Sequence, residues 1–244
     1  MPHLQIPIPF PHIPPQAGVV FDNASTSGYE AALSTYSWTH RTGTLYRGII
    51  VVGVEIFATG TVTSVTYNSV NLTFLRADAN GVYRTELWYL VNPTSGSNTV
   101  TVNLSVALTS IASAQTYWNV NQGSPIDANN GSNGTGTPAS ASVTTINAAA
   151  RVVGALSTLT ASGVTSAGAQ APRTSGTGAL GTGDSDDKGL IDTPASTTLQ
   201  WNGIGVGNSW AVSLVSLKVD TTPPFLQYFP VVDPLREWPQ IVGY

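Results

Sequence analysis

The chain has 244 residues, 41% hydrophobic and only 9% charged, with a net charge of -4 and no cysteine. With two lysines, Lys188 and Lys218, and no cationic cluster, it is not built to hold phosphate backbones, so no nucleic-acid partner is expected. Disulfides, thiolate chemistry and Cys-ligated metals are excluded, and no apolar run reaches the ~18 residues of a helical membrane span or forms a basic amphipathic stretch for a membrane surface.

The opening stretch, MPHLQIPIPFPHIPP, holds six of the 16 prolines. Proline fixes φ and lacks a backbone donor, so the stretch forms neither helix nor central strand. Yet Ile6, Ile8, Phe10 and Ile13 make it apolar, unlike a solvated tail, and such a segment needs a surface to lie on. It has no basic n-region and no unbroken apolar core, so no export signal is expected. Residues 1–16 read as an extended N-terminal arm.

Residues 17–220 read as one body. Tyr29 to Ser34 has the spacing of a single helical turn. Leu45 to Ala58 (LYRGIIVVGVEIFA) is a nearly continuous β-branched run, as in a strand buried on both faces. Val62 to Tyr67 and Val70 to Arg76 flank Asn68-Ser69, a tight hairpin turn. Val82 to Val91 alternates, with Tyr83, Thr85, Leu87, Tyr89 and Val91 as the more apolar face. Thr99 to Leu104 and Ser113 to Val120 follow. Gln122 to Ser140 is a Gly/Asn/Ser stretch expected to be a mobile or interacting loop. Strands resume at Ser142 to Asn147 and Arg151 to Thr160. Ser162 to Asp187 is a second soft region, before Thr197 to Trp201 and Trp210 to Val219. About ten short strands with turn signals between them predict an all-β antiparallel sandwich of jelly-roll type.

From residue 221 the composition changes again. Pro223 to Tyr244 holds five more prolines, with Phe225, Tyr228, Phe229, Trp238 and Tyr244 among them. This is a second extended, proline-rich arm, residues 221–244.

The segment VTSVTYNSVNLTFLRADANGVYRTELWYLVNPTSGSNTVTVNLS, Val62 to Ser105, resembles a β-sandwich module that recurs in tailed-phage structural proteins and bacterial surface proteins. The features that carry the likeness are the SVTYxxxxLT hairpin, the R-x-E-L-W-Y-L-V-x-P strand from Arg84 to Pro93, the NTVTVxLS strand, and a closing SWAVSLVSLK. Asn68-Ser69 stands where a Gly-Gly-like turn is usual, and the C-terminal arm lies outside the module. The resemblance implies a sandwich fold and no catalytic residues. It is also similar to decoration and accessory head proteins, which pair such a sandwich with extended arms.

Candidate chemistry is sparse. His3 and His12 lie in the arm, leaving His40 as the body histidine, expected at a strand end or in a loop, and no G-x-S-x-G context supports a Ser-His-Asp triad. Glu55 interrupts a core-like strand and is expected to pair with Arg47 or Arg84, or to face solvent. Asp184-Ser-Asp186-Asp187 begins like a calcium loop, but Lys188 and Ala195 stand where ligands belong, so it reads as a solvated acidic turn, with a looser Ca²⁺ site as the alternative. Trp88, Tyr89, Tyr117, Trp118, Trp201 and Trp210 read as core or cross-strand aromatics, with a sugar-stacking platform as the alternative.

These residues predict a non-enzymatic virion structural protein, a capsid decoration or accessory head protein made in the host cytoplasm and exposed outside the cell. Its partners would be the major capsid or another virion protein and itself, as a trimer for example, with no cofactor or metal. Ile6, Ile8, Phe10, Ile13, Phe225, Tyr228, Phe229, Trp238 and Tyr244 would be the partner-binding anchors. Arms packed back on their own body are the competing expectation. A glycan-binding or adhesive module of a tail fibre or cell surface is the alternative function.

Overall fold

The computed structural model describes residues 18–44, 46–159 and 163–222. Among them every regular element is a strand: β1 (Val20–Thr26), β2 (Glu30–Thr42), β3 (Ile49–Phe57), β4 (Val62–Tyr67), β5 (Val70–Asn71), β6 (Thr73–Asn80), β7 (Tyr83–Val91), β8 (Gly96–Trp118), β9 (Ile126–Thr135), β10 (Ala139–Thr144), β11 (Ala150–Thr158), β12 (Thr165–Ser166), β13 (Ala171–Thr177), β14 (Thr182–Ile191), β15 (Ser196–Asn202) and β16 (Ser209–Leu217). Every pairing between them is antiparallel. They form an eight-stranded sheet from β1 to β8, a five-stranded sheet in the order β13-β14-β11-β16-β9, and a three-stranded sheet in the order β10-β15-β12.

β8, 23 residues long, is the spine of the first sheet. β1 and then β2 run along one of its edges, from Val20 opposite Trp118 to Thr42 opposite Gly96. β3 and then β4 run along the other, from Ile49 opposite Tyr117 to Tyr67 opposite Val100. Val100, Val102 and Leu104 from the first half of β8 share one core with Ala112 and Ala114 from the second half. The sheet therefore curls over on itself between them.

Period-two alternation explains how the sheets stack. All nine residues of β3 are buried, as its continuous apolar run predicts. Ile50, Val52, Val54 and Ile56 fill the core inside the curled sheet. Ile49 and Val51 point the other way, onto Val153 and Ala155 of β11 and Val215 and Leu217 of β16. The opposite faces of β11 and β16 carry Val152, Leu156, Val212 and Leu214, which pack on Leu199 and Trp201 of β15 and on Ala139, Ala141 and Val143 of β10. β3, β11 and β16 are thus covered on both sides, and each large apolar side chain buried there contributes about 1.5–3 kcal/mol. β7 is covered in the same way: Trp88 belongs to the first core and Leu87 to the second, so its apolar parity does not mark a single buried face.

The Asn68-Ser69 turn forms as expected, with both residues at positive φ (49° and 63°) and Tyr67 paired to Val70. Three expectations are overturned. Tyr29 to Ser34 is not helical, because β2 starts at Glu30 and the long edge of β8 offers its backbone partners. Gln122 to Ser140 is not a loop but contains β9, paired along β16. Its glycines serve close approach: a Cβ on Gly134 would lie 2.7 Å from the Trp210 ring. Ser162 to Asp187 contains β12, β13 and most of β14.

Candidate functional site

The acidic run Asp184 to Asp187 is not a solvated turn. It lies in β14, which pairs with β13 on one side and β11 on the other. Three acids in four residues disfavour a strand on propensity alone, but two ladders of backbone hydrogen bonds and a covered position decide otherwise. Alternation then divides the run. Asp187 faces the first sheet, and Asp184 and Asp186 face away from it.

Asp187 is fully buried and fully matched. Arg151 donates to its Oδ1 at 2.7 Å, and Arg173 donates to Oδ2 at 2.7 Å and to Oδ1 at 3.0 Å. The Tyr117 hydroxyl lies 2.9 Å from Oδ2, and its one proton serves either Asp187 or Gln115. Burial, with the Asp187 charge added, pushes the Tyr117 phenol well above its ordinary range. Burial works against the charge on Arg173, but its hydrogen bond to Asp187 and the attraction of that carboxylate together outweigh it and raise its pKa. The guanidiniums also lie over rings, Arg173 at 3.6 Å from the Phe21 centroid and Arg151 at 5.7 Å from that of Tyr117.

Glu55 occupies the same seam between the sheets and is treated differently. It pairs with neither expected arginine: Arg47 pairs with Asp220, and Arg84 with Glu86. Neither of its oxygens has a hydrogen-bond partner. Burial raises its carboxyl well above the usual range and the nearby Asp184 adds to the rise, while the Ser113 hydroxyl opposes it. The space for it comes from Gly183, where a Cβ would come within 3.0 Å of the Glu55 Cβ.

On the outer face of β14, burial pushes Asp184 up to about 8, with Asp186 contributing. Asp186 is also raised, by burial first, against hydrogen bonds from Ser166 and Gln170. Asp184 forms part of the wall of a surface depression of about 370 Å³ with Val164, Thr165, Ser166, Gln170, Pro172 and Ser175. Among the described residues, no three His, Cys, Asp or Glu side chains gather as a metal site.

The other acids are spent on structure. Asp78 takes Arg76 and the Ser213 hydroxyl, and Asp127 takes the backbone N–H groups of Ile146 and Asn147. His40 lies near the end of β2 and is fully buried. Its Nδ1 meets the Ser25 hydroxyl at 2.8 Å, its Nε2 has no partner, and burial lowers its pKa to about 4 against the pull of Asp22. No acid completes a triad here, because Asp22 accepts from Gly43 and from Thr116 instead.

Of the six candidate aromatics, Trp88, Tyr117, Trp201 and Trp210 are buried in the cores. Trp118 is half-buried and lines a second depression, about 350 Å³, with exposed Tyr46 and with Asp22, Gly43 and Thr44. Arg47 lies 5.1 Å from the Tyr46 ring centroid.

The nine anchors expected in the arms, from Ile6 to Tyr244, lie outside the described residues. The structure does fix where the chain enters and leaves the body. The Asn119 side chain donates to the Gly18 carbonyl at 3.0 Å, and its own carbonyl accepts from the Asp220 N–H at 2.9 Å. Val19 and Val219 share one core. The two ends of the described body therefore lie together, beside the Arg47–Asp220 pair. Nothing in the sequence marked Asn119 for this role; its positive φ of 64° emerges only with the fold. Compared with known proteins, the chain matches no family model, no curated protein and no solved structure.

Proposed function

We propose that this is a structural protein of a virion, a capsid decoration or accessory head protein attached through its two terminal segments. In this account the body has jelly-roll connectivity, and residues 1–16 and 221–244 are extended arms that clasp a major capsid protein or a second copy of the chain. One observation carries it: Gly18 and Asp220, the described residues nearest the two proline- and aromatic-rich segments, lie together, bridged by Asn119. Two apolar segments rooted together act on one partner surface. Proline restricts the free segments to extended conformers and so lowers the ordering cost of binding. Many copies on a lattice add avidity. The resemblance of Val62 to Ser105 to a phage module and the use of the body's acids in its own structure support the same account.

Deleting residues 1–15 or 223–244 is expected to leave a folded body that no longer joins particles, measured by co-sedimentation. Unchanged binding by both truncations would sink the proposal, as would segments that crosslink only to their own body.

The depression at Tyr46, Trp118 and Asp22 favours a second account, glycan binding, since it sets two aromatic rings beside a carboxylate. Glycan-array binding abolished in Tyr46→Ala would move the assignment there.

A further inference from the structure

The outer face of β14 carries two carboxyls that the body does not match. Asp184 is 4% exposed, lines the depression between β12, β13 and β14, and has no hydrogen-bond partner for Oδ1. Asp186, two residues on and on the same face, is fully buried. Gln170 donates to its Oδ2, and the Gln170 oxygen is itself fixed by the Gln200 N–H at 2.8 Å, so the amide cannot turn to serve a second acceptor. The Asp186 Oδ1 is left without a partner as well. Arg173 pairs with Asp187 and reaches Asp186 only through its charge at longer range. Asp184 therefore brings a buried carboxyl to the wall of the depression, whose other polar lining includes the Thr165 and Ser175 hydroxyls and the Ser166 hydroxyl that also serves Asp186 behind it.

We propose that this depression is a divalent-cation site suited to Ca²⁺, with Asp184 as the carboxylate at its wall, Asp186 as the second carboxylate behind it, and hydroxyls and water completing the shell. The donors are oxygen only, which disfavours the softer metals that take His or Cys. An open, irregular site with room for water suits the flexible coordination of Ca²⁺ better than the strict octahedron of Mg²⁺. A bound cation would tie the two-residue β12 and the edge strand β13 to the central strand β14.

The test uses the full chain, stripped with chelator and then melted at pH 7.5 with and without CaCl₂. At a hundredfold excess over Kd, the melting temperature should rise by about 5–10 °C. Asp184→Asn should abolish the rise, and Asp186→Asn should weaken Ca²⁺ binding at least tenfold. Calorimetry of the unaltered chain with Ca²⁺ gives a check that needs no variant, and binding should give a saturable heat. The proposal is overturned by the absence of both heat and thermal shift at millimolar Ca²⁺, or by an equal shift in the unaltered chain and both variants. An equal response to Mg²⁺ would overturn the assignment to Ca²⁺.

Discussion

The two faces of β14 carry the same kind of side chain and treat it in opposite ways. On the inner face Asp187 has two arginines, a phenol and aromatic rings around those arginines. On the outer face Asp184 and Asp186, its neighbours along the same strand, each keep an unpartnered oxygen. A buried charge is tolerated when matched by a counter-charge and hydrogen bonds, and otherwise gives up its ionisation. The inner carboxylate is therefore a fixed part of the joint between sheets, whereas burial keeps the outer pair prone to hold protons. Glu55 shows that the inner position alone does not decide this: it shares the seam with Asp187 but lacks a cation.

The largest expected effect is on the matched face. Replacing both Arg151 and Arg173 by alanine leaves Asp187 buried without a counter-charge, and should cost about 3–5 kcal/mol in urea unfolding. A loss below about 1 kcal/mol would mean that the matching does not matter.

The unmatched acids set the next effect, through pH. A carboxyl whose pKa is raised by folding binds its proton more tightly in the folded state. Its stabilisation is complete below the unfolded value near pH 4 and is lost as pH rises through the folded value, about 8 for Asp184. Without divalent cations, stability should therefore fall from pH 4 to 8, with a slope of up to about 1.4 kcal/mol per pH unit from this group. Asp184→Asn should flatten the profile. Glu55→Gln should stabilise the chain at pH 8 more than at pH 4, because it removes the penalty of ionising an unpartnered carboxyl. Chemical melts across that range check both, and a profile unchanged in the two variants would erase the contrast between the faces.

A smaller effect is expected at Ser213, whose hydroxyl joins β16 to Asp78 and Thr85 of the first sheet. Ser213→Ala should cost about 1 kcal/mol, with little change in the pH profile. Tyr46→Ala, at an exposed ring outside both faces, should change stability by less than about 0.5 kcal/mol.

Much of the fold was legible where local pattern and burial agree. The continuous run around Ile49–Phe57 marked a strand covered on both faces, and Asn68-Ser69 marked the hairpin between β4 and β5. β9 and β14 were not legible, for opposite reasons. In β9 the glycines look like turn residues but make room for Trp210. In β14 three acids look solvated because charge is costly to bury, and the tolerance of Asp187 depends on Arg151, Arg173 and Tyr117, which come from other strands. Glu55 stood out in sequence as a charge within a core strand, but its lack of a partner depends on where Arg47 and Arg84 end up. The shared exit at Asn119 is likewise a product of three distant segments.

In the proposed account, attachment falls to residues 1–16 and 221–244. Hydrogen exchange of the full chain, free and particle-bound, tests this most directly. The account predicts new protection in residues 1–16 and 223–244 and around Gly18, Asn119 and Asp220, with the β9 edge and the β10–β15 face unchanged. Protection confined to those body faces, with the terminal segments exchanging as in the free chain, would contradict it.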